Sequence, residues 1–237
     1  MRRTVLTTAL LAACSLTPVV RADDERPPEL ERAEDLLLKG RQDRALASLK
    51  RYVEAHPKDA RGHRELGFVL LLMHRAADAL VPLRRACALA PDDVEAHLTL
   101  ARAFERLKRF DEAIKVYEHA VTIGPKISTS WRSLARLLVA RNVGDDRKRA
   151  REVLRQASKH NPKDEQVALD HAGLLLESED PADHARARQV LVSFLIQVPW
   201  SVRAARFLAQ VEAAQGQLKR ASRGRAPQAQ GPAGAAA

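Results

Sequence analysis

Histidine is the chemically versatile residue this chain offers in number, 8 of them against 2 cysteines. His63 and His97 invite a metal reading. They occupy equivalent places 34 residues apart in two successive helix-turn-helix units, and helices stacked at roughly 8 to 10 Å hold such rings too far apart to share an ion. The carboxylate pairs Asp111-Glu112 and Glu179-Asp180 could in principle divide acid and base roles. They fall in polar turns, where they read as helix caps and solvated charge. The sequence contains no glycine-rich phosphate loop, paired-cysteine motif, His-Glu-x-x-His or nucleophile elbow. No enzyme activity, cofactor or metal is expected. Cys87 stands beside Ala86 in an apolar helical run and reads as an inert core thiol, with no internal disulfide partner once Cys14 is removed or acylated.

The elements that would position these residues come from periodicity. Residues 94–125 read as two amphipathic helices joined by the turn Lys108-Arg109-Phe110-Asp111 and closed by Pro125, which cannot continue a helix. Residues 60–91 repeat the design, with Leu66-Gly67, Leu70, Ala79, Leu83 and Ala86 in the places of Leu100-Ala101, Phe104, Ala113, Tyr117 and Ala120. Closing prolines recur at Pro57, Pro91, Pro125, Pro162 and Pro199, spaced by 34, 34, 37 and 37 residues, which is a solenoid period. The expected division is an export signal at 1–22, five units at 26–57, 60–91, 94–125, 128–162 and 165–199, a capping helix at 200–222, and a tail without fixed structure at 223–237. Asp59, Asp92-Asp93, Asp164 and Asp180 mark helix starts. The two wider spacings place longer turns inside the fourth and fifth units. Phe194 occupies a site where a small residue is usual.

This pattern resembles the tetratricopeptide repeat family over about residues 26–222. The family's small residue in the first helix is matched by Ala33, Gly67, Ala101, Ala135 and Ala172. The alanine opening its second helix is matched by Ala45, Ala79, Ala113, Ala150 and Ala187. Two helix backbones approach closely at such sites, so only a methyl or hydrogen fits. The resemblance implies an all-α, right-handed solenoid whose first helices line a concave groove, and a protein-interaction scaffold.

The groove stripe on the first helices is Arg61, Arg64, Phe68, Leu71 and Leu72 in the second unit, and Leu98, Arg102 and Arg106, with Glu95 and Glu105, in the third. Arg132 and Arg136 follow in the fourth with Thr129 and Val139, and Arg203, Arg206 and Gln210 in the capping helix. Leu30, Leu37 and Leu38 continue the line upstream. Apolar residues banked by arginines suit a peptide partner carrying apolar anchors and acidic residues, because guanidinium forks grip carboxylates in two-pronged fashion. A family subclass that binds chaperone carboxyl termini uses a Lys and Asn pair in its first repeat. Leu30 and Glu34 stand on the corresponding stripe here, so that specificity does not carry over.

The net charge of +10 is concentrated at the ends. Arg2, Arg3 and Arg21 precede Asp23 without an acid, and Lys219, Arg220, Arg223 and Arg225 lie near the carboxyl end. The remaining body is only mildly basic, so nucleic acid is not an expected partner. Met1-Arg2-Arg3, the apolar run 4–20 and the small residues before Asp23 read as a secretory signal, giving an exported, periplasmic protein. Leu11-Ala12-Ala13-Cys14 resembles a bacterial lipobox, in which Cys14 would be acylated and tether the chain to a membrane; the competing reading makes Cys14 one more apolar residue of the run. Two further readings stand beside the exported scaffold: a lipid-anchored assembly factor similar to pilotin lipoproteins, and a docking arm of a separately encoded enzyme.

Overall fold

The computed structural model describes residues 27–224, with side chains as far as Ala213. Residues 1–26, with the expected export signal and Cys14, and residues 225–237 lie outside them. Eleven helices and no strands make up the described residues: α1 Pro28–Leu38, α2 Gln42–Ala55, α3 Ala60–Leu72, α4 Ala76–Leu89, α5 Val94–Arg106, α6 Phe110–Ile123, α7 Ser128–Arg141, α8 Asp146–His160, α9 Glu165–Leu176, α10 Pro181–Gln197 and α11 Val202–Gly224. Each helix packs on the next in chain order. The chain is an all-α solenoid.

Aspartate starts the helices as the sequence leads one to expect. Asp59, Asp93, Asp164 and Asp180 accept hydrogen bonds from the backbone N–H of Arg61, Ala96, Val167 and Ala182 at 2.8–3.1 Å. Pro181 follows Asp180 as the first helical residue, where its missing N–H costs nothing. The turns inside the first three pairs share one design. The residue after the C-cap (Gly40, His74 or Lys108) takes a left-handed conformation with φ of 57–69°. Arg41, Arg75 and Arg109 then donate back to the carbonyls of Leu36, Leu70 and Phe104 at 2.8–2.9 Å, which satisfies otherwise free helix ends. The fourth pair has a longer turn, in which Asn142 is left-handed and buried Asp146 accepts from Arg141.

Close packing falls at the small residues. Ala45, Ala79, Ala113, Ala150 and Ala187 are fully buried, as are Ala101 and Ala172. At Gly67 an added Cβ would lie 2.4 Å from Leu83 Cγ, so glycine is needed there for space. The apolar core runs from Leu30 to Leu174 as one cluster. A second cluster joins α9, α10 and α11 through Ala168, Leu175, Leu191, Phe194 and Val211. First helices of neighbouring pairs touch: α3 on α5, α7 on α9, and α9 on α11. Second helices do not meet to that extent, so the array curves with the odd-numbered helices on its inner side.

Candidate peptide groove

The inner stripe falls on α3, α5, α7 and α11, and its side chains divide into three groups. Phe68 and Leu72 of α3 are 37% and 41% exposed, and Leu38 at the end of α1 is 83% exposed. Leu37 leans on the core and keeps part of its surface. These carbons meet water on the inner face.

Leu30, Leu71 and Leu98 do not. Leu30 and Leu98 are fully buried and Leu71 nearly so, all inside the main core cluster. The correction has a physical reason in the case of Leu98, whose repeat equivalents are Arg64 and Arg132. At one backbone position an arginine stem can lie along apolar surface while its head reaches water, whereas leucine has nothing to solvate and settles between the helices. Leu71 lies toward α5, facing Arg106 and Leu107 across a shallow recess.

The arginines form the third group, and most have partners within the chain. Arg64 pairs with Asp93 at 2.8 Å and with Glu65 at 3.3 Å. Asp93 and Glu65 stabilise the charged form and raise its pKa, although burial acts in the opposite direction. Arg132 binds Asp170 at 2.6 Å, and Asp170 also accepts from Gln166 at 2.7 Å. Arg136 of α7 reaches Glu105 of α5 at 3.1 Å. Glu105 also accepts the Tyr117 hydroxyl at 2.6 Å; burial and then that bond push the phenol pKa far up, so Tyr117 stays neutral. Arg203 of α11 pairs with Glu165 of α9 at 2.9 Å. Arg61, Arg102 and Arg106 have no carboxylate partner among the described residues. The inner face is therefore a ladder of ion pairs between adjacent units with cations left over on α3 and α5.

The partner acids Asp93, Asp170 and Glu165 escaped sequence reading. The available signal was spacing: each lies 29 to 38 residues from its arginine, about one unit along the chain. Two inner recesses also went unforeseen. One of about 490 Å³ between α7 and α9 is lined by Arg132, Arg136, Val139, Leu169 and Gly173. Another of about 400 Å³ between α9 and α11 is lined by Leu169, Arg203, Arg206, Phe207 and Gln210.

The residues first considered for chemistry have structural roles. His63 Nε2 hydrogen-bonds the Pro57 carbonyl at 3.1 Å, and buried His97 uses Nδ1 on the Asp93 carbonyl at 2.9 Å while its ring meets His119 at 4.7 Å. No group of three potential metal ligands gathers among the described residues. Cys87 is half-buried, and burial pushes its thiol up to about 11, so little thiolate is present at neutral pH. No described helix is long and apolar enough to cross a membrane.

A curved stack of helical hairpins, with small residues at each crossing and an open inner face, defines a tetratricopeptide-repeat protein. Residues 30–138 are tetratricopeptide repeats, matched by two models of that family at 30–93 and 70–138, and the helical pairs beyond them share the fold. The fold is that of a protein-interaction scaffold, and proteins of this family are generally not catalysts. A search of curated proteins finds none that matches. Among solved structures, MamA (residue 41 to the end) from Desulfovibrio magneticus RS-1 is similar over 73% of this chain and 95% of its own, with 15% identity and a TM-score of 0.57. A tetratricopeptide repeat protein from Parabacteroides merdae is similar over 82% of this chain and 75% of its own, at 16% identity and TM-score 0.57. YrrB, described as a tetratricopeptide repeat protein with an unusual peptide-binding site, is similar over 78% and 92%, at 14% identity and TM-score 0.53. At these identities the likeness is one of fold.

Proposed function

We propose that the protein captures an extended or helical peptide segment of a partner in the trough of its odd-numbered helices. The carrying observation is that Phe68 and Leu72 stay exposed on α3, next to a helix whose Arg102 and Arg106 have no carboxylate partner among the described residues. Apolar side chains of the partner would cover Phe68, Leu72 and Leu38, and its acidic residues would meet Arg61, Arg102 and Arg106 in charge-assisted hydrogen bonds. Arg64, Arg132 and Arg136 play a smaller part than unpaired arginines would, since a partner's carboxylate must displace the one already bound. The description of YrrB as having a peptide-binding site supports a peptide ligand for the fold in general.

Peptide-library selection on the intact protein tests this. Enriched sequences should carry apolar residues flanked by Asp or Glu, and binding should fall in Phe68→Ala and Arg102→Ala. Enrichment of basic sequences, or binding indifferent to both substitutions, would overturn the proposal.

The amino-terminal run and the small residues before Asp23 support an exported location on the periplasmic side. Leu11-Ala12-Ala13-Cys14 also supports a lipid-anchored assembly factor. Metabolic labelling with a fatty acid separates the two: incorporation lost in Cys14→Ser gives the anchored form, and no incorporation gives the free one.

A further inference from the structure

The fifth helical pair breaks the repeat at two adjacent core positions, on the side away from the peptide groove. The residue four places before the small residue of the first helix is His63, His97 and Trp131 in the second, third and fourth pairs, and Ala168 in the fifth. The residue immediately before that small residue is Leu66, Leu100 and Leu134, and then His171. In the third pair His97 meets the ring of His119, and in the fourth Trp131 stacks on His160 at 5.6 Å between centroids. The fifth pair has Ala168 where those rings sit, and a cleft of about 660 Å³ opens there between α8 and α10.

Its floor is Ala168, Leu175, Val190 and Phe194, and its size lies in the range of about 300 to 1,000 Å³ typical of small-molecule sites. His171 reaches the same cleft while only 6% exposed. Its Nδ1 lies 3.1 Å from Ser158 Oγ, and that hydroxyl already donates to the Leu154 carbonyl at 2.9 Å. With the hydroxyl hydrogen on that carbonyl, Nδ1–H donates to Oγ, and Nε2 is then an acceptor with no partner among the described residues. Around the mouth the cations Lys148, Arg151, Arg155, Lys159 and Arg186 outnumber the carboxylates Glu152, Asp164 and Asp183. Lys159 has no carboxylate partner among the described residues.

We propose that this cleft binds a small aromatic carboxylate bearing a hydroxyl or N–H donor on its ring. The ring takes the place left open at Ala168, the donor meets His171 Nε2, and the carboxylate lies toward Lys159, since Arg151, Arg155 and Arg186 already hold Asp183 and Glu152.

Calorimetric titration of the intact protein with 3-(4-hydroxyphenyl)propionate and with 3-phenylpropionate tests it. Wild type should bind the hydroxylated acid about fivefold to tenfold more tightly, the worth of one hydrogen bond. His171→Leu restores the residue of three other pairs and should bind both acids equally. Ala168→Trp places the side chain of Trp131 in the opening and should bind neither. Absence of binding to wild type, a hydroxyl preference that survives His171→Leu, or full affinity in folded Ala168→Trp would each overturn the site. Should Ala168→Trp not fold, the preference in His171→Leu decides alone.

Discussion

At the scale of single residues, burial separates side chains that share one line on the helix surface. Leu98→Ala should cost about 2–5 kcal/mol in urea unfolding, because it empties a fully buried site. Phe68→Ala should cost well under half of that, since the ring keeps much of its surface in water. A reversed order would mean that the inner face is wrongly assigned. His171 gives a second test. Burial lowers its pKa to about 4, whereas the unfolded side chain titrates near its ordinary value of 6.5. Between these values the unfolded chain binds the extra proton, so stability present at neutral pH is lost as pH falls through about 6.5 toward 4, by on the order of 2–3 kcal/mol. His171→Leu should flatten the stability profile in that window, measured by denaturant midpoints from pH 7 to pH 4. An unchanged slope would contradict the burial of this ring. The burial of Leu71 and Leu98 has one origin: a sequence stripe shows which way a side chain leaves the helix, not how deep the neighbouring helices sit around it.

At the scale of helices and turns, much was legible because local chemistry decides it. Asp59, Asp93 and Asp164 cap helices that their positions after prolines had implied, and the alanines at 79, 113 and 150 sit at zero exposure where helix backbones cross. The ion pairs Arg132–Asp170 and Arg136–Glu105 were not legible, since their members lie on different units and depend on how adjacent helices are staggered. The left-handed turn positions were likewise hidden, because His74 and Lys108 carry no glycine signature. Both residues hold φ near 58°, which disfavours any side chain with a Cβ. His74→Gly and Lys108→Gly should therefore each stabilise the fold by about 0.5–1 kcal/mol, the relief exceeding the added freedom of the unfolded chain. A loss of stability in thermal or urea melts would show that these side chains contribute contacts worth more than the strain.

At the scale of the whole molecule, a solenoid is held together by neighbour contacts, and here the core divides around α9. Trp131 belongs to the larger cluster, whereas Trp200, in the turn between α10 and α11, is 77% exposed and senses neither side. Leu191→Ala, which empties a fully buried site in the smaller cluster, should make α10 and α11 lose amide hydrogen-exchange protection before α3 to α6. Loss of protection in step along the whole array would mean that it unfolds as one unit. Curvature is the other molecular property, and function rests on it, because only the inner side offers a trough. The sharpest test is the affinity of a library-selected peptide, read by fluorescence anisotropy, for Phe68→Ala on inner α3 and for Val81→Ala, an equally apolar exposed site on α4. Phe68→Ala should weaken binding by about tenfold or more while Val81→Ala leaves it unchanged; loss at Val81 with full affinity at Phe68 would contradict capture on the inner face.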